Sequence, residues 1–276
     1  MTNLRIVNEN SAEIATLTAT STAGDLVVTN MQTDLKSEIW RSTSTVETII
    51  ARFSTAQFVS VVSFPFCNFT SSATMRVRLF TNDADTIPIY DSGIVNCSPY
   101  ETLGDIKWGS STFGVNSFSY GGSIYARVWT EDFPVEKVVI DIDDHTNSSG
   151  YIEAGVCVIG SYWSPILNAS YGASSTVVDT SSTFRNDAGD SISNRGTIHK
   201  VLSMNLEYMK TGDRNNLMQM MRGNGTSNPF FLSLYPENED SILEQDGQIY
   251  GKLQNTGTLS NIFYQNFSSD INIEES

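Results

Sequence analysis

Basic residues are scarce in this sequence. There are 16 Lys+Arg against 31 Asp+Glu, a formal net charge of −15. Nucleic acid calls for a basic patch that displaces counterions from phosphates, and an anionic membrane surface makes the same demand. Neither is expected as a partner. Charge of either sign is sparse, at 17% of residues. Ser, Thr and Asn must therefore supply much of the polar surface, a bias toward strands and turns. No apolar run approaches the roughly 20 residues that span a bilayer, so no membrane insertion is expected. The start, Met1-Thr-Asn-Leu-Arg5, lacks a basic region followed by an apolar one, and no signal peptide is expected.

Cysteine and histidine are equally sparse. Cys67, Cys97 and Cys157 are odd in number and widely spaced, which gives neither a disulfide framework nor a zinc pattern. Each sits in an apolar or strand-like stretch, so buried reduced thiols are expected. His199 lies on a predicted strand, and His145 lies in an acidic loop. No G-x-S-x-G, G-x-x-x-x-G-K-[ST] or G-x-G-x-x-G occurs, which removes the usual footholds for nucleophilic and nucleotide chemistry. With 31 acids, a carboxylate pair for glycoside hydrolysis can be drawn almost anywhere, so spacing carries no signal. No enzyme and no cofactor are expected.

What is present is strand pattern. Met75-Arg76-Val77-Arg78-Leu79-Phe80 alternates, with the arginines on one face. Val46–Phe53 alternates, and Phe58–Phe66 is nearly all apolar. The stretch Ile124–Pro165 reads as three strands: Ile124–Trp129, Val135–Ile142 and Tyr151–Ile159. An acidic loop from Asp141 to Gly150 lies between the last two. Short strands with turn signals at near-regular spacing predict a β-sandwich. Composition shifts after Tyr162-Trp163-Ser164-Pro165 to Ser, Thr, Asp, Asn and Gly. The fold class expected is mainly β: a β-sandwich over 1–165 and a smaller β-rich C-terminal domain over 166–276. The smaller domain has one helix near 211–222, capped by Thr211 and ended by Gly223 or Gly225. A 276-residue chain has room for both.

Two sets of side chains are candidates for binding. Asp141, Asp143 and Asp144 can offer oxygen ligands to a hard cation, or they can belong to a solvated turn. Trp40 beside Arg41, and Tyr100, Trp108 and Tyr120 near glycines, are residue types that stack on sugars or anchor interfaces. The alternative is that they plug the ends of the sandwich.

Two resemblances follow. Ala19-Thr20-Ser21, Ile39-Trp40, Met75–Leu79, Tyr125-Ala-Arg-Val-Trp129 and Gly150–Gly155 with Ile159-Gly160 resemble a galactose-binding-like jelly roll of the discoidin type. The strings LRIVNEN, FSYGG-x-IYARVW, NSSGYIEAG, RGNG-x-S-x-PFFLSLYPEN and QIYGKL resemble structural proteins of tailed bacteriophages. The strand, helix, strands and Ile-Asn-Ile-Glu-Glu ending resemble distal-tail proteins at the tail tip. The second resemblance implies a virion setting at or near the tail tip or baseplate, with the chain made in the host cytoplasm. The partners it implies are copies of the chain in a ring and the tube, hub and tape-measure proteins. The alternative is a carbohydrate-binding protein that adheres to a host-surface glycan.

Overall fold

A computed structural model describes residues 3–99 and 124–276. In chain order, β1 is Arg5–Val7, β2 Thr16–Ala19, β3 Trp40–Arg41, β4 Val46–Pro65, β5 Thr74–Phe80, β6 Tyr90–Asp91 and β7 Val95–Asn96. β8 is Tyr125–Asp143, β9 Glu153–Ala154 and β10 Val158–Gly160. β11 is Ser174–Asp179, β12 Ser182–Arg185, β13 Ser191–Asn194 and β14 Ile198–Met209. The helix α1 (Thr211–Asn224), β15 (Phe230–Ser233) and the helix α2 (Ser241–Asp246) follow. The chain ends with β16 (Gln248–Leu253), β17 (Ser260–Phe263) and β18 (Asn266–Glu275). The protein is mainly β. It divides into two compact units: Met1–Ser164 with Phe230–Gln248, and Pro165–Pro229 with Ile249–Ser276.

The first unit is built on an antiparallel sheet in the order β10-β4-β8-β5-β6, with β2 on β4 and β7 on β5. Sequence alternation suggested separate strands, one on each side of Ser54–Gln57 and one on each side of Thr130–Pro134. The structure has one long β4 and one long β8, paired over almost their whole lengths. Register shifts between Arg52 and Gln57 and between Val59 and Val61 absorb the polar insert. Bulges of this kind add local twist without ending a strand. One face of the sheet carries Ile49, Ala51, Phe53, Val62, Phe64, Met75, Val77, Leu79, Val138 and Ile140. Leu17, Met31, Trp40, Ile152 and Ile159 close the same core. Three of these five lie on β2, β3 and β10, and Met31 lies on a short 3-10 turn.

The predicted third strand, Tyr151–Ile159, is two short pieces in different sheets. β9 pairs with β3, and β10 pairs with β4. Gly155 sits at the crossing, where an added Cβ would lie 3.3 Å from Phe66 Cβ. The outer face of β8 is also covered at its start, from Tyr125 to Trp129. Tyr125 and Trp129 stack on Phe231, with ring centroids 6.2 and 6.0 Å apart. Arg127 and Trp129 Nε1 (3.0 Å) both donate to Glu244 of α2. This is why 230–248 belongs to the first unit, whereas the sequence boundary put it within 166–276. β1 pairs antiparallel with β15 in the same unit.

The second unit has the strand order β16-β18-β14-β11, with β17 on β18, all antiparallel. α1 buries Leu217, Met220 and Met221. Lys210, not Thr211, occupies its N-cap position. Asp213 in the first turn is buried and accepts from the Ile166 backbone N–H at 3.2 Å. Gly225 ends the helix at φ +56, donating to Met221 O at 3.1 Å. Among the described residues α1 is the one α-helix of this unit, where the sequence placed it, and a second helix, α2, belongs to the first unit.

Candidate functional site

The two-residue pairing of β3 with β9 sets a small surface on the first unit. Trp40 stands opposite Ala154, and Arg41 opposite Glu153. Strand side chains alternate, so the two pairs point to opposite faces. Trp40 points inward and is 0% exposed, and its indole N–H donates to Ser21 O at 3.2 Å. A ring buried in this way has no face to offer a sugar. The expectation that Trp40 stacks on a ligand is corrected here: it is a core residue.

Arg41, Glu153 and Tyr151 share the outward face, and all three are half-buried. Arg41 Nε donates to Glu153 Oε2 at 2.9 Å, and Nη2 lies 2.8 Å from the same oxygen. The guanidinium carbon lies 4.4 Å from the centroid of Tyr151, within cation–π range. The hydrogen bond to Glu153 raises the Arg41 pKa above its ordinary value, so the guanidinium stays charged. Asn68 ties the chain beneath this trio. Its Nδ2 donates to Tyr151 O at 3.1 Å, and its Oδ1 accepts from Glu153 N at 2.8 Å.

The acidic loop props up the same region. Asp144 is 1% exposed. It accepts from Thr70 N at 2.9 Å, from the Thr70 hydroxyl and from Asn147 Nδ2 at 3.0 Å. Asn147 also donates to Asn68 O at 3.1 Å, so a chain of bonds runs from Asp144 to the residue that pins Tyr151 and Glu153. Asp141 is spent elsewhere, accepting from Arg78 Nη2 at 2.6 Å and from Thr48 Oγ1 at 2.9 Å. Asp143 is exposed and faces His145 Nδ1 at 3.1 Å. The three carboxylates therefore do not converge as cation ligands. Among the described residues, no group of three or more His, Cys, Asp or Glu is placed to hold a metal ion.

Of the aromatic candidates, Tyr100, Trp108 and Tyr120 lie outside the described residues. Of the two carbohydrate candidates among the described residues, Trp40 and Arg41, the structure places Arg41 on an accessible face. Tyr151, Glu153 and Asn68 escaped the sequence reading. A signal existed in the parity of Tyr151 and Glu153, but their partner strand lies 112 residues away in sequence.

No family model matches the chain, and no curated protein matches it. Among solved structures, it is similar to a chitosan-binding module derived from a chitosanase/glucanase of Paenibacillus sp. IK-5. The identity is 13% and the TM-score 0.37, over 55% of this chain and 99% of that one. It is similar to CpGH89CBM32-5 from Clostridium perfringens, in complex with GalNAc-β-1,3-galactose, at 11% identity and a TM-score of 0.36. That match covers 55% of this chain and 100% of the other. A fucose binding module of Streptococcus pneumoniae gives 10% identity and a TM-score of 0.37, over 55% and 95%.

Proposed function

We propose that the first unit is a carbohydrate-binding module of the galactose-binding-like type, with its ligand at the Arg41–Tyr151–Glu153 face. The observation that carries the reading is the geometry of that trio. A half-exposed phenol ring lies beside a fixed guanidinium and a carboxylate. Sugars are recognised by an apolar ring surface together with charged groups that bind neighbouring hydroxyls. Glu153 and Tyr151 hold the Arg41 fork in place before a ligand arrives, which reduces the ordering cost of binding. The reading assigns no catalysis.

The test is binding to a glycan array, followed by titration with chitosan oligosaccharide, fucose and GalNAc-β-1,3-galactose. Arg41→Ala with Tyr151→Ala should abolish binding while leaving the melting temperature close to wild type. Binding that survives both substitutions rules out this face. Turnover of a glycan by the purified protein would overturn the non-enzymatic reading.

A second reading is a structural component of a phage tail at or near its tip or baseplate, assembling through contacts with its own copies in a ring and with other tail proteins. It rests on the sequence resemblance carried by the strings quoted above. Electron microscopy of purified protein and of virions tests it. Absence from the tail, with no rings in the purified sample, would sink it.

A further inference from the structure

We propose that copies of the chain associate through the ribbon formed by β11, β12, β13 and the start of β14. The inference deepens the assembly reading and rests on it.

The ribbon is continuous over 174–203. β11 pairs with β14 from Ser174↔Ser203 to Asp179↔Ile198. β12 pairs with β13 from Ser182↔Asn194 to Arg185↔Ser191. Thr180 and Thr197 join the two ladders, their backbones and hydroxyls bonded at 2.8 to 3.1 Å. Every residue of β11, β12 and β13 is exposed. A two-stranded ribbon in water is at best marginally stable by itself, and this one has little burial to compensate. It nonetheless carries apolar side chains. Phe184 (56% exposed) stands directly opposite Ile192 (42%), so the two share a face. Val177 (67%) and Ile198 (55%) share a face diagonally, because Ile198 is the partner of Asp179.

Among the described residues the edge is unguarded. β11 ends its sheet, and its sequence Ser-Ser-Thr-Val-Val-Asp has no Lys and no Pro. Natural sheets blunt exposed edges with such residues, because a bare edge templates another strand. The charges indicate what that strand belongs to. The chain carries −15, so two copies repel over most of their surface. Between 174 and 198 there are only Arg185 and Arg195 against Asp179, Asp187 and Asp190. Neither arginine forms an ion pair with a carboxylate among the described residues. The ribbon is therefore close to neutral and carries both signs. A second copy supplies aspartates for Arg195 and for Arg185, whose Nη1 donates to Gly189 O at 2.8 Å, and apolar side chains for Phe184, Ile192, Val177 and Ile198. Its own bare edge completes the ladder.

The test uses the full chain in sedimentation velocity and in light scattering behind gel filtration. The wild type should run as a dimer or larger. Val177→Lys with Phe184→Glu should drop it to the 30.4 kDa monomer. Both side chains are exposed in the single chain, so the melting temperature of a dilute sample should not move. Arg185→Glu with Arg195→Glu provides an independent second variant, also expected to be monomeric. Backbone amides of 174–179 should exchange more slowly in the wild type than in either variant. A wild type that is monomeric up to its solubility limit overturns both the ribbon surface and the assembly reading. An oligomer that survives both variants overturns the ribbon alone and leaves assembly through another face.

Discussion

Replacing Glu244 with Ala tests how the segment 230–248 is held to the sandwich. The Glu244 side chain is 2% exposed and that of Arg127 is 11%, and the two form an ion pair. Glu244 Oε1 also accepts from Trp129 Nε1 at 3.0 Å and from Glu237 N at 3.2 Å. Removing the carboxylate leaves a guanidinium buried without a counter-charge, which costs about 3–5 kcal/mol. The indole donor loses its acceptor as well, a further penalty of roughly 1–3 kcal/mol if it stays dry. These terms share one site and do not add, so about 3 kcal/mol is the working minimum. For a unit of this size that is a fall of roughly 6–12 °C in Tm. All four tryptophans, Trp40, Trp108, Trp129 and Trp163, lie within Met1–Ser164. Tryptophan fluorescence in urea therefore reports the first unit alone. Arg127→Met with Glu244→Leu is the control. Replacing both charges by apolar groups of similar volume is often close to neutral, so the double variant should recover most of the loss. If Glu244→Ala costs less than about 1 kcal/mol, or the double variant is no better than the single one, the buried pair is not what holds the segment.

Trp40→Ala should cost about 3–5 kcal/mol by the same assay, because a fully buried indole is removed; a loss below about 1 kcal/mol would contradict its place in the core. The thiols of Cys67, Cys97 and Cys157 are buried, and burial pushes those of Cys67 and Cys157 up to about 12. Their native values lie above the unfolded one of about 8.5, so the stability they contribute is whole below that pH and is lost as pH rises toward 12. The urea midpoint should fall between pH 8 and pH 10.5, and a thiol reagent should label none of the three until the chain unfolds. Gly251→Ala should destabilise the second unit by roughly 1–3 kcal/mol, since its Cβ would sit 2.1 Å from Glu274 O; circular dichroism melting that matches wild type would refute that geometry.

The strands of the sandwich were legible where one face is core and the other is water. Met75, Val77 and Leu79 against Arg76 and Arg78 is such a case, and β5 lies where the alternation puts it. The lengths of β4 and β8 were not legible. Ser54-Thr55-Ala56-Gln57 looks like a turn in isolation, and only the facing β8 turns it into a bulge. The ribbon was invisible for the opposite reason. Both of its faces are exposed, so Ser and Thr occupy each parity and no period of two survives. α2 gives no apolar period in the sequence because its buried residues, Ser241, Glu244 and Gln245, are polar. The burial of Glu244 and Gln245 is set by Arg127, Trp129 and the backbone of Tyr125, more than 110 residues earlier in the chain.

The candidate site shows the same limit at the scale of two residues. Trp40 and Arg41 are neighbours, so on a strand one must face the core and the other must face out. Residue type favours the indole inside, because it buries the larger apolar area and needs only one acceptor, which Ser21 O supplies. Parity then carries the outward face from Arg41 across the ladder to Glu153 and on to Tyr151. An aromatic that can meet a ligand from this pair of strands must share parity with the cation and not be its neighbour. The sequence contained that rule, but not the pairing of 40–41 with 153–154 to which it applies. Asn68 and Asp144 supply the pairing from the side, one pinning Tyr151 and Glu153, the other pinning the loop that carries Asn147. The outward trio therefore depends on two buried side chains, Asp144 and Asn147, of an acidic loop whose carboxylates look, in the bare sequence, as though they were there for a metal.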